Sequence, residues 1–253
     1  MSDSSRVPRY GNWVSTRLLI IPAVLCGLTV ASSILSLAFL VPAAIFLLCF
    51  AYLAFARYAF SFRGGNVQAK IHELLLDSLE WEGVGKAIDI GCGNGPLTIK
   101  LAKKYPDAQV TGIDYWGGAW GYSKGVCEKN AELEGVAQRV TFLKASASQL
   151  PFEDSSFDAA VSNLTFHEVS DAKDKRLVIR EALRVVQKRG SFAFQDLFLL
   201  KRVYGKPEEL IEAVKGFGVE SVELIETRDS KSIPPLLRLP FMVGTMAILR
   251  GKK

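Results

Sequence analysis

The sequence predicts an α/β protein with a doubly wound, mostly parallel seven-stranded sheet, preceded by a two-helix transmembrane hairpin. Residues 18–60 are apolar apart from one charge, and later residues alternate β-type with helical segments, which favours a parallel sheet covered by helices. Three glycines also follow the first β-type segment. We therefore expect a cytoplasmic N-terminal segment at 1–17, two transmembrane helices at 18–60 and a soluble domain at 61–253.

The apolar run is about twice the roughly 20 residues that suffice to cross a bilayer. As one helix it would rise about 65 Å, whereas the hydrocarbon core is about 30 Å thick. We therefore predict two spans, Leu18–Ser36 and Val41–Tyr58, with the turn at Pro42, and a re-entrant hairpin as the alternative. A cleaved signal peptide is disfavoured because the run is too long and lacks a polar cleavage region.

Charge predicts the orientation of this hairpin. Residues 1–70 carry a net charge of +5, and the remainder of the chain is neutral. Basic residues flank both ends of the apolar run, which predicts that both ends, and the soluble domain, are cytoplasmic. The bilayer is therefore an expected partner. Nucleic acid is not an expected partner. The basic excess surrounds the apolar run, and a nucleic-acid site would need a basic face with interleaved aromatic residues in the soluble part.

Cysteine and histidine usage argues against a metal centre. The four cysteines have no CxxC spacing, and the chain has only two histidines, His72 and His167. Neither a disulfide framework nor a zinc site is therefore predicted, and no metal ligand is assigned. A histidine-rich metal centre is excluded, whereas an ion bound by carboxylates is not.

Periodicity assigns the elements of the soluble domain. A first helix is predicted from residue 64 to about 79, where apolar residues recur at helical spacing. Seven strands are predicted at 86–90, 108–114, 140–146, 157–163, 190–196, 219–227 and 243–251. Further helices are predicted at Pro96–Lys104, Ser123–Leu133, Asp174–Gln187 and Lys206–Gly216.

The glycine loop predicts a nucleoside-binding site. It lies between the first strand and its helix, where doubly wound sheets bind ligands, and glycine lets a ligand lie against bare backbone. Its spacing is G-x-G-x-G, and Pro96 stands where a dinucleotide fingerprint needs a third glycine. Asp114 ends the second strand, about where a ribose diol would lie. The alternative is a tight strand-to-helix turn without a ligand.

Four segments in this order, "AIDIGCGNG", "VTGIDYW", "LPFEDSSFDAAVSN" and "REALRVVQKRG", carry a family resemblance. From about Gly64 to Lys253 the chain resembles the class I S-adenosylmethionine-dependent methyltransferases, particularly the methyltransferase type 11 group. The resemblance implies the Rossmann-like methyltransferase fold, S-adenosyl-L-methionine as cofactor, and methyl transfer to a small-molecule acceptor.

The resemblance also implies residue roles. The loop residues bordering the methionine and ribose would be Gly91, Cys92, Gly93 and Gly95. Asp89 would orient the loop and the amino group, and Asp114 would bind the ribose hydroxyls. Tyr115 or Trp116, rather than Trp120 or Tyr122, would flank the adenine.

Two further positions follow from the same resemblance. Ser146 and Ala147 stand where many members carry an Asp for the adenine amino group, and a hydroxyl accepts that hydrogen bond less strongly than a carboxylate. Asn163 and Leu164 would line the sulfonium side.

His167 is the candidate catalytic residue. It follows the fourth strand, close to the expected methyl position, and would act as a general base or orient the substrate. The alternative is a helix-start histidine without a chemical role, and Glu168 and Asp196 are weaker candidates. Methyl transfer depends mainly on positioning and desolvation, so a base is needed only if the acceptor must lose a proton.

The segment 233–244, "IPPLLRLPFMVG", bears on the acceptor. If exposed, it would suit a membrane interface or a lipophilic acceptor, such as a lipid or a quinone-like isoprenoid. If buried, it would simply cover the sheet. Two other functions stay open, a non-catalytic cofactor-binding membrane protein and a nucleotide-dependent oxidoreductase, and the loop spacing disfavours the second.

Overall fold

The structure, a computed structural model, describes residues 7–117 and 121–253. These residues form two compact units. One contains Gly11–Ala69, and the other contains the described residues up to Tyr10 together with Lys70–Lys253.

The unit Gly11–Ala69 is built around two apolar helices, α1 (Thr16–Ser32) and α2 (Leu40–Phe60). A short loop with one 3-10 turn at Leu37–Phe39 joins them. The predicted turn at Pro42 is wrong. Pro42 lies in the first turn of α2, where the N–H that proline lacks has no partner within the helix.

Polar contacts tie the two helices into an antiparallel hairpin. Near the middle, Cys26 Sγ lies 3.5 Å from the carbonyl oxygen of Ala43. At the open end, Asn12 Nδ2 donates to Arg57 O at 2.8 Å, and the Arg57 guanidinium donates to the carbonyl of Val14. The chain therefore enters and leaves this hairpin at the same end.

Within the described residues, one helix is long and apolar enough to cross a membrane, namely the 24 residues Leu37–Phe60. The helix α1 is also apolar but has only 17 residues. Most large side chains of both helices are exposed within the chain. The first predicted span is therefore helical only as far as Ser32 and the second is helical throughout, and only the second helix satisfies the length criterion.

The remaining residues form a seven-stranded sheet with flanking helices. The sheet order is β3-β2-β1-β4-β5-β7-β6, and only β7 runs antiparallel to its neighbours. The strands are β1 (Gly85–Ile90), β2 (Ala108–Asp114), β3 (Val140–Lys144), β4 (Phe157–Asn163), β5 (Val186–Asp196), β6 (Ser221–Glu226) and β7 (Ala247–Lys252). The helices are α3 (Val67–Asp77), α4 (Pro96–Lys104), α5 (Lys124–Leu133), α6 (Arg176–Arg184), α7 (Lys201–Tyr204) and α8 (Pro207–Lys215). The predicted sheet is confirmed.

One boundary difference lies between α6 and β5. The predicted helix 174–187 begins later and ends at Arg184, and β5 already starts at Val186. Val186 pairs with Phe157, next to an irregularity in the β4–β5 register. Pairing in the sheet therefore makes this residue part of a strand, although its apolar spacing alone predicts a helix.

Apolar side chains cover both faces of the sheet. On one face, Phe192 and Phe194 pack with residues of α6, and on the other, Ile99 and Leu101 of α4 pack with Leu75 of α3. Strand β1 lies between β2 and β4, so the connections leave it in opposite directions and open a crevice at its carboxyl end. This crevice contains the glycine loop.

Candidate active site

The glycine loop is held against β2 by its own backbone. The N–H groups of Gly91 and Cys92 donate to the carbonyl oxygen of Ile113 at 2.8 and 2.9 Å. Gly91, Gly93 and Gly95 all have positive φ, at 81°, 58° and 82°, which favours glycine. A Cβ on Gly91 would lie 2.0 Å from Thr165, whereas one on Gly93 would meet only the Tyr122 ring, at 3.4 Å. The backbone at Gly93 is therefore comparatively open to a ligand.

Asp114 holds the peptide of Gly93 in place. Its Oδ2 accepts from the N–H of Gly93 at 2.9 Å, and its Oδ1 accepts from the N–H of Trp116 at 2.8 Å. The Trp116 indole N–H returns a hydrogen bond to the Gly93 carbonyl at 2.8 Å. Burial raises the pKa of Asp114, and these N–H groups oppose that rise. Each carboxylate oxygen keeps a lone pair that can accept from a ligand hydroxyl.

Asp89 is a second carboxyl group beneath the loop. It is 1% exposed, and its Oδ2 accepts from the Thr98 hydroxyl at 2.6 Å. Among the described residues, nothing donates to its Oδ1. Burial raises the pKa of Asp89 to about 7, the Thr98 hydrogen bond opposes the rise, and the charge of Asp114 adds to it. An unpaired buried acceptor is costly, so this site fits a ligand with a positively charged donor.

Three aromatic residues lie near the glycine loop and differ in their exposure and in their contacts with it. Tyr115 is 65% exposed, with the ammonium of Lys144 5.2 Å from its ring centroid, whereas Trp116 is tied to the loop. Sequence reasoning set Tyr122 aside, yet its ring lies against Gly93, and burial raises its pKa to about 12. Trp120 lies outside the described residues.

Residues close to the N-terminus also contact the loop, which sequence reasoning missed. The side chain of Asn94 accepts from the N–H of Ser123 at 3.1 Å and donates to Arg9 O at 3.2 Å. Asn130 of α5 accepts from the N–H of Arg9 at 2.8 Å, and the Tyr10 hydroxyl donates to Glu134 at 2.9 Å. The segment with Arg9 and Tyr10, called the N-terminal strap, has no helix, strand or sequence motif, so the sequence offered no signal for these contacts.

Polar side chains gather where β4 and β5 end. Asn163 and Gln195 are neighbours in the sheet register, and Asn163 Nδ2 lies 3.4 Å from His72 Nε2. Burial, aided by the charge of Lys100, lowers the pKa of His72 to about 3, so this ring is neutral at physiological pH. Within the described chain, Asn163 Oδ1 and both Gln195 amide atoms have no hydrogen-bond partner. Leu164 beside them has a φ of 52°.

His167 and Asp196 form a hydrogen-bonded pair next to these residues. His167 lies in a 3-10 turn, Phe166–Glu168, and its Nδ1 is 2.6 Å from Asp196 Oδ1. Asp196 is fully buried, and its Oδ2 accepts from the N–H of Phe166 at 2.8 Å. Burial would lower the pKa of His167, but the hydrogen bond and charge of Asp196 outweigh it and raise that pKa. The pairing leaves Nε2 as the basic nitrogen of the neutral ring.

The loop after β3 brings serines to the site. The Ser146 and Ser148 hydroxyls lie 3.1 and 2.6 Å from Asp171 Oδ2, and 2.8 Å from each other. The side chain of Ala147 packs in the core near Leu150, so only its backbone is available to a ligand.

The comparisons with known proteins agree with this geometry. Residues 88–194 match the family described as "Methyltransferase domain". The match covers less than half of the chain. The family match and its relatives confirm the predicted S-adenosylmethionine-dependent type of this domain.

Two curated relatives and one solved structure illustrate the similarity. The chain is 33% identical to the malonyl-[acyl-carrier protein] O-methyltransferase of Geobacter sulfurreducens, over 51% of this chain and 45% of that protein. It is 34% identical to the demethylmenaquinone methyltransferase of Roseiflexus castenholzii, over 43% of this chain and 41% of that protein. The chain thus spans less than half the length of these relatives.

Among solved structures, a geranyl diphosphate C-methyltransferase from Streptomyces coelicolor, in complex with Mg2+, geranyl diphosphate and S-adenosyl-L-homocysteine, superimposes with a TM-score of 0.57. The similarity covers 74% of this chain and 80% of that one at 12% identity, so it bears on the fold. The seven-stranded sheet and its flanking helices here share that architecture.

We expect S-adenosylhomocysteine to bind this domain in a pH-dependent way. The cationic amino group of the ligand would favour the charged form of Asp89 and lower its pKa from about 7. Binding near neutral pH should therefore release a proton, and affinity should fall below pH 7 by at most about tenfold per pH unit.

Calorimetry in buffers of different ionisation enthalpy measures that proton release. Asp89→Asn is the matched control, because its amide oxygen can still accept from Thr98, and it should bind without proton release. Equal proton release by both proteins would contradict this assignment of Asp89.

Proposed function

We propose that this chain is a membrane-attached enzyme that transfers a methyl group from S-adenosylmethionine to a lipophilic small molecule bearing a protic group. The observation that carries the proposal is the fixed Gly93 peptide, which Asp114 and Trp116 hold at the sheet crevice of a domain matching a methyltransferase family. When bound, the cofactor supplies an electrophilic methyl group on a positively charged sulfur.

The residues around the loop fit the three parts of this cofactor. Asp89 offers an unpaired buried oxygen to the ammonium of the methionine part. Asp114 keeps lone pairs for the ribose hydroxyls, and the open backbone at Gly93 admits the chain between them. Asn163 ends β4 beside the loop and Leu164 follows it, where the methyl group would face the acceptor. The positive φ of Leu164 turns the chain at this point.

His167 would remove a proton from the acceptor. Asp196 accepts from Nδ1 and thereby fixes the ring and its tautomer, so Nε2 is free to take up a proton. The arrangement has the base and the orienting carboxylate of a general-base pair. It favours an acceptor whose nucleophile must lose a proton, such as a hydroxyl, because an aprotic acceptor needs no base.

Replacing His167 by Ala should lower kcat by about 10²- to 10⁴-fold, the usual contribution of a general base, and leave cofactor affinity unchanged. In the unsubstituted enzyme, kcat should fall as pH drops through the raised pKa of His167, because only the neutral ring accepts a proton.

Asp196→Asn removes the contribution that raises this pKa, while burial still lowers it. The acidic limb of the pH profile should therefore move to lower pH, together with a loss of kcat from poorer orientation. Steady-state rates from pH 5 to 9 provide the test. An acidic limb that stays in place in Asp196→Asn would show that His167 does not titrate in catalysis.

We propose that α1 and α2 cross the membrane as a two-span hairpin with both ends in the cytoplasm. Leu37–Phe60 has the length of a span, and α1, about 25 Å long at 1.5 Å per residue, approaches the roughly 30 Å hydrocarbon core. The contact of Arg57 with Val14 and Asn12 joins the two ends, and the basic flanks favour the cytoplasmic side.

Cysteine labelling in intact cells tests this topology. In a background without the native cysteines, Ser5→Cys and Ser230→Cys should be protected from an impermeant thiol reagent, since both would be cytoplasmic. Leu35→Cys, in the loop between the helices and 85% exposed, should be labelled. Protection of all three sites would favour a re-entrant or surface-bound hairpin, and labelling of only one terminus would mean a single span.

The segment 233–244 supports a lipophilic acceptor. Its residues divide into a buried and an exposed set: Ile233 and Leu237 are buried, whereas Leu236 and Phe241 are 58% and 72% exposed. Arg238 braces the segment by donating to the carbonyls of Ile233 and Ser230 at 3.0 and 3.1 Å. The exposed apolar side chains fit a membrane interface or an apolar acceptor.

Membranes incubated with methyl-labelled cofactor should transfer the label into a lipid-extractable product. The double variant Leu236→Ser with Phe241→Ser should lower that rate several-fold at unchanged cofactor affinity, because it removes apolar contacts with the acceptor or the interface. Leu177→Ser, which alters an exposed leucine on α6, is the matched control and should keep the full rate. Label found only in water-soluble product would contradict the lipophilic acceptor.

A further inference from the structure

The side-chain amide of Gln195 is buried at the end of β5 without a hydrogen-bond partner. The residue is 1% exposed, and among the described residues neither its Nε2 nor its Oε1 is paired. Buried polar side chains in folded proteins are nearly always hydrogen-bonded, because an unpaired donor or acceptor has lost its interaction with water and gained nothing in return. Two unpaired atoms on one side chain therefore point to a hydrogen-bonding group that a ligand supplies.

The strand register places a second unpaired acceptor beside this amide. Asn163 of β4 is the register partner of Gln195, so the two side chains extend from the same face of the sheet. The Asn163 Nδ2 lies 3.4 Å from Nε2 of His72, whereas its Oδ1 has no partner within the described part of the chain. One donor group and two acceptor oxygens thus lie at the adjoining ends of β4 and β5.

The position of the Gln195 amide separates it from the expected cofactor contacts. Asp89, whose unpaired oxygen would meet the ammonium of the cofactor, lies on β1, and β4 stands between β1 and β5. Gln195 is thus two strands away from Asp89, about 10 Å at the usual strand spacing. This amide is therefore on the side of the crevice where the acceptor is expected.

The amide and the proposed base lie at the same strand end. Asp196, which holds His167, is the residue after Gln195, and successive side chains of a strand point to opposite faces of the sheet. An acceptor at the end of β5 would therefore meet His167 with one of its groups and Gln195 with another.

We propose that Gln195, together with Asn163, binds a second hydroxyl group of the methyl acceptor, distinct from the group that His167 deprotonates. A hydroxyl donates one hydrogen bond and accepts two, so it can donate to one of the two amide oxygens and accept from the Gln195 Nε2. A carboxylate only accepts and would face two carbonyl oxygens, and an ether or carbonyl group would leave both of these oxygens unpaired. The inference rests on the proposed function and narrows the acceptor class to lipophilic molecules with at least two hydroxyl groups.

Burial makes this amide selective. Its hydration is already lost in the folded chain, so pairing with a hydroxyl gains hydrogen bonds without a further loss of water from the protein. An analogue that lacks the hydroxyl leaves the amide unpaired, and sites of this kind discriminate strongly against such analogues. The same unpaired atoms make the acceptor-free protein less stable than an apolar side chain would.

The variant Gln195→Met tests the assignment, because it keeps the length of the side chain and removes both polar atoms. The detergent-solubilised variant should unfold at a higher temperature than the unsubstituted protein, since the unpaired groups are gone. Its affinity for S-adenosylhomocysteine should not change. Transfer of label from methyl-labelled S-adenosylmethionine to a lipid extract of the membranes should show kcat/KM for the extract lowered by about tenfold or more, the effect of leaving the acceptor's hydroxyl unpaired.

Ser162→Ala is the matched control for stability. Ser162 is equally buried near the end of β4, at 1% exposed, but its hydroxyl donates to the carbonyl of Ile90 at 2.7 Å. Loss of this hydrogen bond should lower the unfolding temperature, a change opposite in sign to that of Gln195→Met. The contrast separates an unpaired amide from a polar group that the fold itself satisfies.

The labelled product reports the chemical class of the acceptor. After purification from the lipid extract, it should take up at least one acetyl group from acetic anhydride, as an ester that mild alkali removes. The reason is that the hydroxyl bound by Gln195 stays free when the other group is methylated. A product without a hydroxyl that can be acetylated would overturn the assignment.

The outcomes distinguish the two proposals. If the unsubstituted protein transfers no label, the proposed function fails, and this inference fails with it. If it transfers label while Gln195→Met keeps its kcat/KM or unfolds at a lower temperature, only the assignment of Gln195 is overturned. A fall in cofactor affinity in Gln195→Met would also overturn it, because the amide would then contact the cofactor and not the acceptor.

Discussion

The hydrogen bond from the Gly93 N–H to the Asp114 carboxylate is the interaction on which the site depends. It joins the end of β2 to the loop that follows β1, and the Trp116 indole donates to the carbonyl of the same glycine, so both backbone polar groups of Gly93 are held. Three glycines in left-handed conformations leave this loop little intrinsic order, so the carboxylate supplies the rigidity that a binding site needs. The remaining site elements are arranged around this fixed point.

Two buried acidic groups, one on β1 and one on β5, are suited to different tasks. Asp89 is held by a single hydroxyl and has a raised pKa, so it can respond to a cation. Asp196 accepts from three backbone N–H groups, those of Phe166, His167 and Leu197, and from the His167 ring, so its charge is well compensated and can orient the imidazole. Both residues are aspartates, so the difference in their roles comes from their hydrogen bonds: Asp89 can respond to a ligand, whereas Asp196 positions His167.

The sequence predicted the sheet and the core of the site because local signals and tertiary packing agree there. Pro96 begins α4 as predicted, since proline suits the first helical turn, and β2 and β4 have the predicted limits. The glycines and Asp114 could be found because a strand, a turn and a second strand end have fixed spacing in doubly wound sheets.

Other features depend on contacts that no local pattern encodes. The turn assigned to Pro42 lies earlier in the chain, because proline is equally compatible with the start of a helix. Val186 joined the sheet through pairing with Phe157. The strap at Arg9 and the carboxylate of Asp171 reach the site from segments 85 residues away from Asn94 and 25 residues away from Ser146. Contacts between residues so far apart in the sequence leave no periodic pattern from which they could be predicted.

Equilibrium dialysis of the detergent-solubilised protein against labelled S-adenosylmethionine, with NAD as competitor, tests the central claim most directly. The account predicts micromolar affinity for S-adenosylmethionine, about 8 kcal/mol, and far weaker competition by NAD. Gly93→Leu should abolish binding by filling the open backbone, whereas Gly125→Leu, where an added side chain meets nothing within 4 Å, should not. Unchanged binding by Gly93→Leu, or preferential binding of NAD, would contradict the assignment of the loop as the cofactor site.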